Sequence, residues 1–297
     1  MTSGSASDPS DARRRWSDVG SSRRLERPWG GLHHQLLGDP GAPKLLYVNG
    51  SGSTVAEIEP LLGPWIERFR LLVFDHRGMG ESDVPDAEYS MADLADDVID
   101  LVDAVEWSTF RVFGISFGGM VAQHVAARVP ERVERMVLAC TSSGGAGGSS
   151  YPLHDLYEMP VDEQARRFPL VLDTRFTPEF LKTDEVARLI LGARRSPTSG
   201  ERLRGLRLQM NARRHHDAWD VLPSITCPVL VAAGATDGLA PPENSRRLVE
   251  RLVNSEYREF VGGHPFMWQD RSAVPSLIDF LADRGSPTTN GDSPVIG

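Results

Sequence analysis

The chain has 297 residues but only two cysteines, Cys140 and Cys227. Two cannot form a disulfide framework. Each adjoins an apolar run, Val137-Leu138-Ala139 or Val229-Leu230-Val231, so both read as small buried hydrophobes. No run of 18 apolar residues occurs, so no membrane-spanning helix and no membrane partner are expected. Arg13-Arg14-Arg15 is followed by no apolar stretch, which argues against a secretory leader and makes a cytoplasmic setting the expectation. Positive charge is scarce: 32 Lys and Arg stand against 41 Asp and Glu, a net of −9. Such a surface repels phosphate backbones, so no nucleic-acid partner is expected. No metal is expected either, because the side chains of His215-His216 diverge and no carboxylate–histidine helix pattern accompanies them. Gly144-Gly145-Ala146-Gly147-Gly148 falls short of a dinucleotide fingerprint, since Ser150 occupies a position that needs glycine. It reads as a flexible hinge, and no cofactor is implied.

The composition is otherwise that of a globular chain, 40% hydrophobic and 25% charged, enough for a sizeable core. Residues 1–20 and 285–297 are rich in Ser, Asp, Gly, Pro and Thr and read as a disordered arm and tail. Between them, short apolar runs alternate with helical patterns. Lys44–Val48, Arg70–Phe74, Phe110–Phe113, Val133–Cys140, Pro228–Gly234 and Tyr257–Val261 read as strands. Ser90-x-x-Asp93 reads as a capping box opening a helix whose apolar face is Leu94, Val98, Leu101, Val102 and Val105. Phe117–Val129 reads as another, stopped by Pro130. This alternation predicts an α/β fold with a mostly parallel sheet and helices on both faces.

The pattern breaks over residues 142–222, where no strand-like run occurs and helical stretches appear around Glu163–Phe168, Glu179–Leu191 and Arg202–Arg213. We read this segment as a helical cap inserted into a core made of residues 21–141 and 223–284. Residues 150–222 carry a net charge of +1 against −10 for the remainder.

Gly114-Ile115-Ser116-Phe117-Gly118 follows a strand and precedes a helix. That is the context of the nucleophile elbow, a turn so tight that its flanking positions exclude large side chains. A serine hydroxyl needs a base, and the base an orienting acid, in the chain order Ser, acid, His. Of the five histidines after Ser116, His124 falls in the helix that the serine opens and three (His154, His215, His216) fall in the insertion, while His264 follows the last strand behind Gly262-Gly263. Asp237 stands just past the Pro228–Gly234 strand. The alternative acid position, after the preceding strand, reads Cys140-Thr141-Ser142-Ser143 and holds no carboxylate. The catalytic triad is therefore read as Ser116, Asp237 and His264. The amides of Phe117 and Ser51 are the expected oxyanion donors. Trp219, Phe266 and Trp268 are candidates to line the substrate pocket.

Asn49-Gly50-Ser51, Asp75-His76-Arg77-Gly78-Met79-Gly80-Glu81-Ser82, the elbow, Gly234-x-x-Asp237 and Gly263-His264 together resemble the α/β-hydrolase superfamily over residues 30–283, less so in the cap. The chain looks most like the branch containing 3-oxoadipate enol-lactonases, small esterases and cofactor-free haloperoxidases. Many relatives have His-Gly where this chain has Asn49-Gly50. The resemblance implies that Asp75 and Arg77 brace a turn near the site. It also implies hydrolysis of a small-molecule carboxylic ester or lactone through an acyl-enzyme. The same triad serves carbon–carbon bond hydrolases and perhydrolases, and the fold also serves small-molecule receptors with a slow triad. The substrate and the oligomeric state leave no mark in the sequence.

Overall fold

The computed structural model describes residues 22–193 and 200–283; the arm and tail expected at residues 1–20 and 285–297 lie outside them. Eight strands form one sheet: β1 Arg23–Arg27, β2 Gly30–Leu37, β3 Lys44–Val48, β4 Arg70–Phe74, β5 Phe110–Ile115, β6 Val133–Ala139, β7 Val229–Gly234 and β8 Ser255–Phe260. Their order is β1-β2-β4-β3-β5-β6-β7-β8. The β1–β2 and β2–β4 pairings are antiparallel and the rest parallel.

The helices are α1 Val55–Ile58, α2 Gly63–Ile66, α3 Met91–Ala104, α4 Phe117–Arg128, α5 Leu153–Glu158, α6 Val161–Leu172, α7 Pro178–Thr183, α8 Glu185–Ala193, α9 Gly200–Arg214, α10 Pro242–Arg251, α11 Phe266–Gln269 and α12 Ala273–Ala282. Both sheet faces are covered, which is why the central strands are continuous apolar runs. Along β3, Leu46 and Val48 face a cluster shared with α3 and α4, while Leu45 and Tyr47 face one shared with α12. The period of two settles which residues meet which layer.

The capping box forms as read: Ser90 Oγ accepts from the Asp93 amide at 3.2 Å, and Asp93 Oδ2 accepts from the Ser90 amide at 2.8 Å. Leu94, Val98, Leu101 and Val102 are buried. The same helix carries Asp97, buried and bound by Arg77 at 2.6 and 2.7 Å and by the Trp29 indole at 3.0 Å. Arg77 lies over the rings of Trp29 and Tyr89, and Asp75 instead accepts from the Val55 and Glu81 amides. The two bracing residues therefore hold different turns. Removing one member of a buried pair strands the other charge, at a cost of about 3–5 kcal/mol. Asp97→Ala should lower the urea unfolding free energy by that amount with an unchanged m-value. A loss under about 1 kcal/mol would show that Arg77 finds other solvation.

Strands β1 and β2 are absent from the sequence reading. β1 is polar and mostly exposed, and β2 opens on two glycines and carries His33 and His34, so neither looks like a buried strand. The chain runs from β3 out to β4 and returns to β5 on β3's other side. That reversal opens a crevice at the carboxyl ends of β3 and β5, where ligands bind in open α/β sheets.

Between the directly paired β6 and β7 lie residues 142–222, whose described part holds α5 to α9 and no named strand. Gly144-Gly148, expected as a hinge, forms a tight turn bridged to Asp217. A β-carbon on Gly147 would sit 2.3 Å from the Trp219 ring, so close packing accounts for this glycine.

Candidate active site

Ser116 joins β5 to α4 with φ 55° and ψ −118°, a left-handed backbone that a serine adopts only under constraint. The constraint is visible. The Ser116 amide donates to the Ala139 carbonyl at 2.8 Å, and Thr141 Oγ1 donates to the Ser116 carbonyl at 2.7 Å. A β-carbon on Gly118 would lie 2.0 Å from the Val48 carbonyl oxygen, and one on Gly114 would lie 2.7 Å from the Gly118 carbonyl oxygen. Larger residues at either position would push α4 off the sheet and re-aim the serine.

Asp237 and His264 follow the carboxyl ends of β7 and β8. Asp237 is buried, and its Oδ1 accepts from the Leu239 and Ala240 amides, each at 2.8 Å. Its Oδ2 lies 2.8 Å from His264 Nδ1, and His264 Nε2 lies 3.0 Å from Ser116 Oγ. A carboxylate opposite Nδ1 fixes the proton on that nitrogen and leaves a lone pair on Nε2 facing the serine hydroxyl. Burial opposes charge on the imidazole, but the Asp237 carboxylate outweighs it and holds His264 above its ordinary 6.5. The arrangement can take a proton from Ser116 and retain it beside a negative partner.

Cys140 directly follows β6, with φ 42°. Its sulfur lies within 4.8 Å of the donor atoms of Asp237 and His264, the one such trio among the described residues. A metal there would have to break the Asp237–His264 hydrogen bond. Burial pushes the Cys140 thiol up.

Phe117 is the first residue of α4, so its amide has no acceptor within the helix and is free for an oxyanion. The loop after β3 passes beside it: a β-carbon on Gly50 would lie 3.7 Å from Ser116 Cβ. Asn49 anchors this loop through Nδ2 to the Phe74 carbonyl at 3.2 Å, while its own carbonyl lies 3.2 Å from His76 Nε2. Ser51 follows Gly50 in this loop. Burial pushes His76 down to about 4, which keeps it a neutral prop.

The three aromatics expected at the pocket have different surroundings. Phe266 is fully buried and stacks on Phe260 with ring centres 5.2 Å apart, part of the core beneath the histidine loop. Trp268 is 48% exposed. Trp219 packs between Gly147 and the Arg251 guanidinium, 5.3 Å from its ring centre. The apolar surface between the insertion and the core loops is a different cluster, with Met79, Leu153, Leu156, Val171, Leu206, Met210 and Leu239 at its centre.

Sequence reasoning also missed a buried carboxylate. Asp173, just past α6, accepts from Thr236 Oγ1 and Gln269 Nε2, each at 2.8 Å, and from Arg175. Gln269 Oε1 accepts in turn from the Gly263 amide at 2.8 Å, and the His264 amide donates to the Leu172 carbonyl at 2.6 Å. The insertion thus grips both the acid loop and the histidine loop. No local pattern around Asp173 announces this, because Thr236 and Gln269 lie 63 and 96 residues away.

Comparison with known proteins agrees with this geometry. The family model for the α/β hydrolase fold matches residues 32–185, just over half of the chain. A Caulobacter vibrioides protein, provisionally named as the carbamate hydrolase RutD, is 27% identical over 268 residues, covering 84% of this chain and 95% of the relative. The 3-oxoadipate enol-lactonase 2 of Acinetobacter baylyi is 25% identical over 234 residues, covering 78% and 86%. The crystal structure of an enol-lactonase from Burkholderia xenovorans superposes with a TM-score of 0.73 at 22% identity, covering 88% of this chain and 100% of that one. No helix among the described residues is long and apolar enough to cross a membrane. With the sheet order, the elbow and the family match in agreement, the chain belongs to the α/β-hydrolase family.

Proposed function

We propose that the protein is a serine hydrolase that cleaves a small-molecule carboxylic ester or lactone through an acyl-enzyme intermediate. The observation that carries this reading is the unbroken relay from Asp237 Oδ2 through His264 to Ser116 Oγ, at 2.8 and 3.0 Å. Ser116 attacks the carbonyl carbon as His264 Nε2 takes its proton. Asp237 holds the ring in the reactive tautomer and stabilises its charged form. The Phe117 and Ser51 amides receive the oxyanion. His264 then protonates the leaving alkoxide, and water activated by the same imidazole releases the acid. The enol-lactonase and carbamate hydrolase names of the relatives point to the same acyl chemistry at a carbonyl. No cofactor takes part in these steps.

A panel of p-nitrophenyl esters of graded chain length, set beside lactones and an aryl carbamate, tests the proposal. Many turnovers per enzyme on at least one class are expected. Stoichiometric binding with no turnover would instead mark a receptor, and turnover confined to a vinylogous 1,5-diketone would mark a carbon–carbon hydrolase.

Residues 142–222 we assign as the cap that sets the pocket, because Leu206 and Met210 of α9 join Met79 and Leu239 of the core loops in one apolar cluster. Pocket methylenes discriminate by about 1–3 kcal/mol each. Met210→Ala should therefore shift the preferred ester chain length, while the rate of Ser116 labelling by a small phosphonate changes little. An unchanged chain-length ranking would place the pocket elsewhere.

A further inference from the structure

Helix α9 is pressed onto the core at two points. A β-carbon on Gly205 would lie 2.0 Å from the Gly78 carbonyl oxygen, and one on Gly52 would touch Leu206 at 3.4 Å. One turn beyond Gly205, on the same face, stands Gln209, fully buried at 0% exposure. Its Oε1 accepts from the Gly52 amide at 2.8 Å. That bond fixes the orientation of the side chain, since the flipped amide would set N–H against N–H. Its Nε2, with two donors, is buried without any hydrogen-bond partner. Ser51 Oγ, one residue along the same loop, is likewise buried and unpartnered. A buried polar group left unpaired costs free energy, and two at the junction of α9 with the loop whose Gly50 passes Ser116 point to a partner that arrives with the substrate.

We propose that Gln209 is a specificity-determining residue whose side-chain amide donates to a second oxygen of the substrate, a keto or carboxyl oxygen a few atoms from the scissile carbonyl. The preferred substrates are then oxygen-bearing esters or lactones rather than plain alkyl esters. The proposal rests on the reading of Ser116 as the nucleophile. The geometry has a mechanical merit. Because Oε1 is held by Gly52, next to the oxyanion donor Ser51, the donor pair of Gln209 stays at a fixed position relative to the attacked carbon.

The test compares isosteric p-nitrophenyl esters, the 4-oxopentanoate against the 4-methylpentanoate, each rate divided by its rate of hydroxide hydrolysis. A matched pair carrying the oxygen in the alcohol portion is run alongside. The wild type should favour the oxygen-bearing member of at least one pair in kcat/KM by about 10-fold, the size of one well-made hydrogen bond. Gln209→Glu keeps an acceptor for the Gly52 amide but removes the donors, and Gln209→Met removes both; each should erase that preference. Small-phosphonate labelling of Ser116 separates the two readings: wild type that resists labelling fails the nucleophile, whereas labelling with no oxygen preference fails Gln209. Equal loss on both members of each pair in Gln209→Met, with Gln209→Glu resembling wild type, would reduce Gln209 to a strut for the loop and overturn the proposal. Thermal melts of both variants show whether a loss reflects folding.

Discussion

Ser116→Ala is expected to lose about 10⁶ in kcat and all labelling by a fluorophosphonate, with the unfolding transition essentially intact. The size follows from how the triad works as a unit. Without the hydroxyl, His264 has no proton to take, and only the oxyanion donors and substrate binding are left to act. The fold should tolerate the change because the elbow is held through backbone groups, the Ser116 amide to Ala139 and its carbonyl to Thr141. A small shift in melting temperature in either direction leaves the assignment untouched. Mass spectrometry of the labelled wild type locates the adduct. A label on any serine other than Ser116, or persistent turnover in the alanine variant, would sink it.

Asp237→Asn is expected to lower kcat by about 10⁴, because the amide can donate to Nδ1 and so favours the unreactive tautomer. It should also move the pH profile, and the sign is fixed by which form of His264 reacts. The neutral ring is the base, so kcat/KM rises as pH climbs through the imidazole pKa of the free enzyme. Asp237 raises that pKa above the ordinary 6.5. The acidic limb of the wild type should accordingly lie above 6.5, and in Asp237→Asn it should shift to lower pH. A variant with near-wild-type kcat would hand the orienting role to another carboxylate. An unmoved limb would mean that Asp237 does not set the charge of the base.

The three residues proposed as the relay stand out in the sequence because they sit at strand ends, and strand ends are marked by apolar runs and glycines: Gly114 and Gly118 around Ser116, Gly234 before Asp237, Gly262-Gly263 before His264. Strands β3 to β7 were legible as apolar runs for the same reason, being largely buried, whereas β8 is an edge strand with only Phe260 buried. The β1–β2 hairpin carries no such mark, and it joins the sheet through β2, which pairs with β4 and buries Leu32 in the core. The surroundings of the aromatics near His264 were not legible, for a different reason. Proximity in sequence to His264 says nothing about side-chain direction, and the turn after Pro265 sends Phe266 into the core and leaves Trp268 outside. Gln209 and Asp173 act through partners brought near only by the tertiary fold, so no periodicity or motif could have singled them out.

Asp173 has one more consequence. Its carboxylate is shared by Thr236, adjacent to Asp237, and by Gln269, which holds the residue before His264. Two loops that carry the relay are thus clipped together by a side chain belonging to neither. The alignment of acid and base is in this sense imported from the insertion, and it lasts only while the end of α6 stays docked. A chimera that exchanged residues 142–222 for the equivalent stretch of another protein would change more than the pocket. It would remove the clip, and unless the donor segment brought a carboxylate to the same place, the new enzyme would pair a new specificity with a loosened relay.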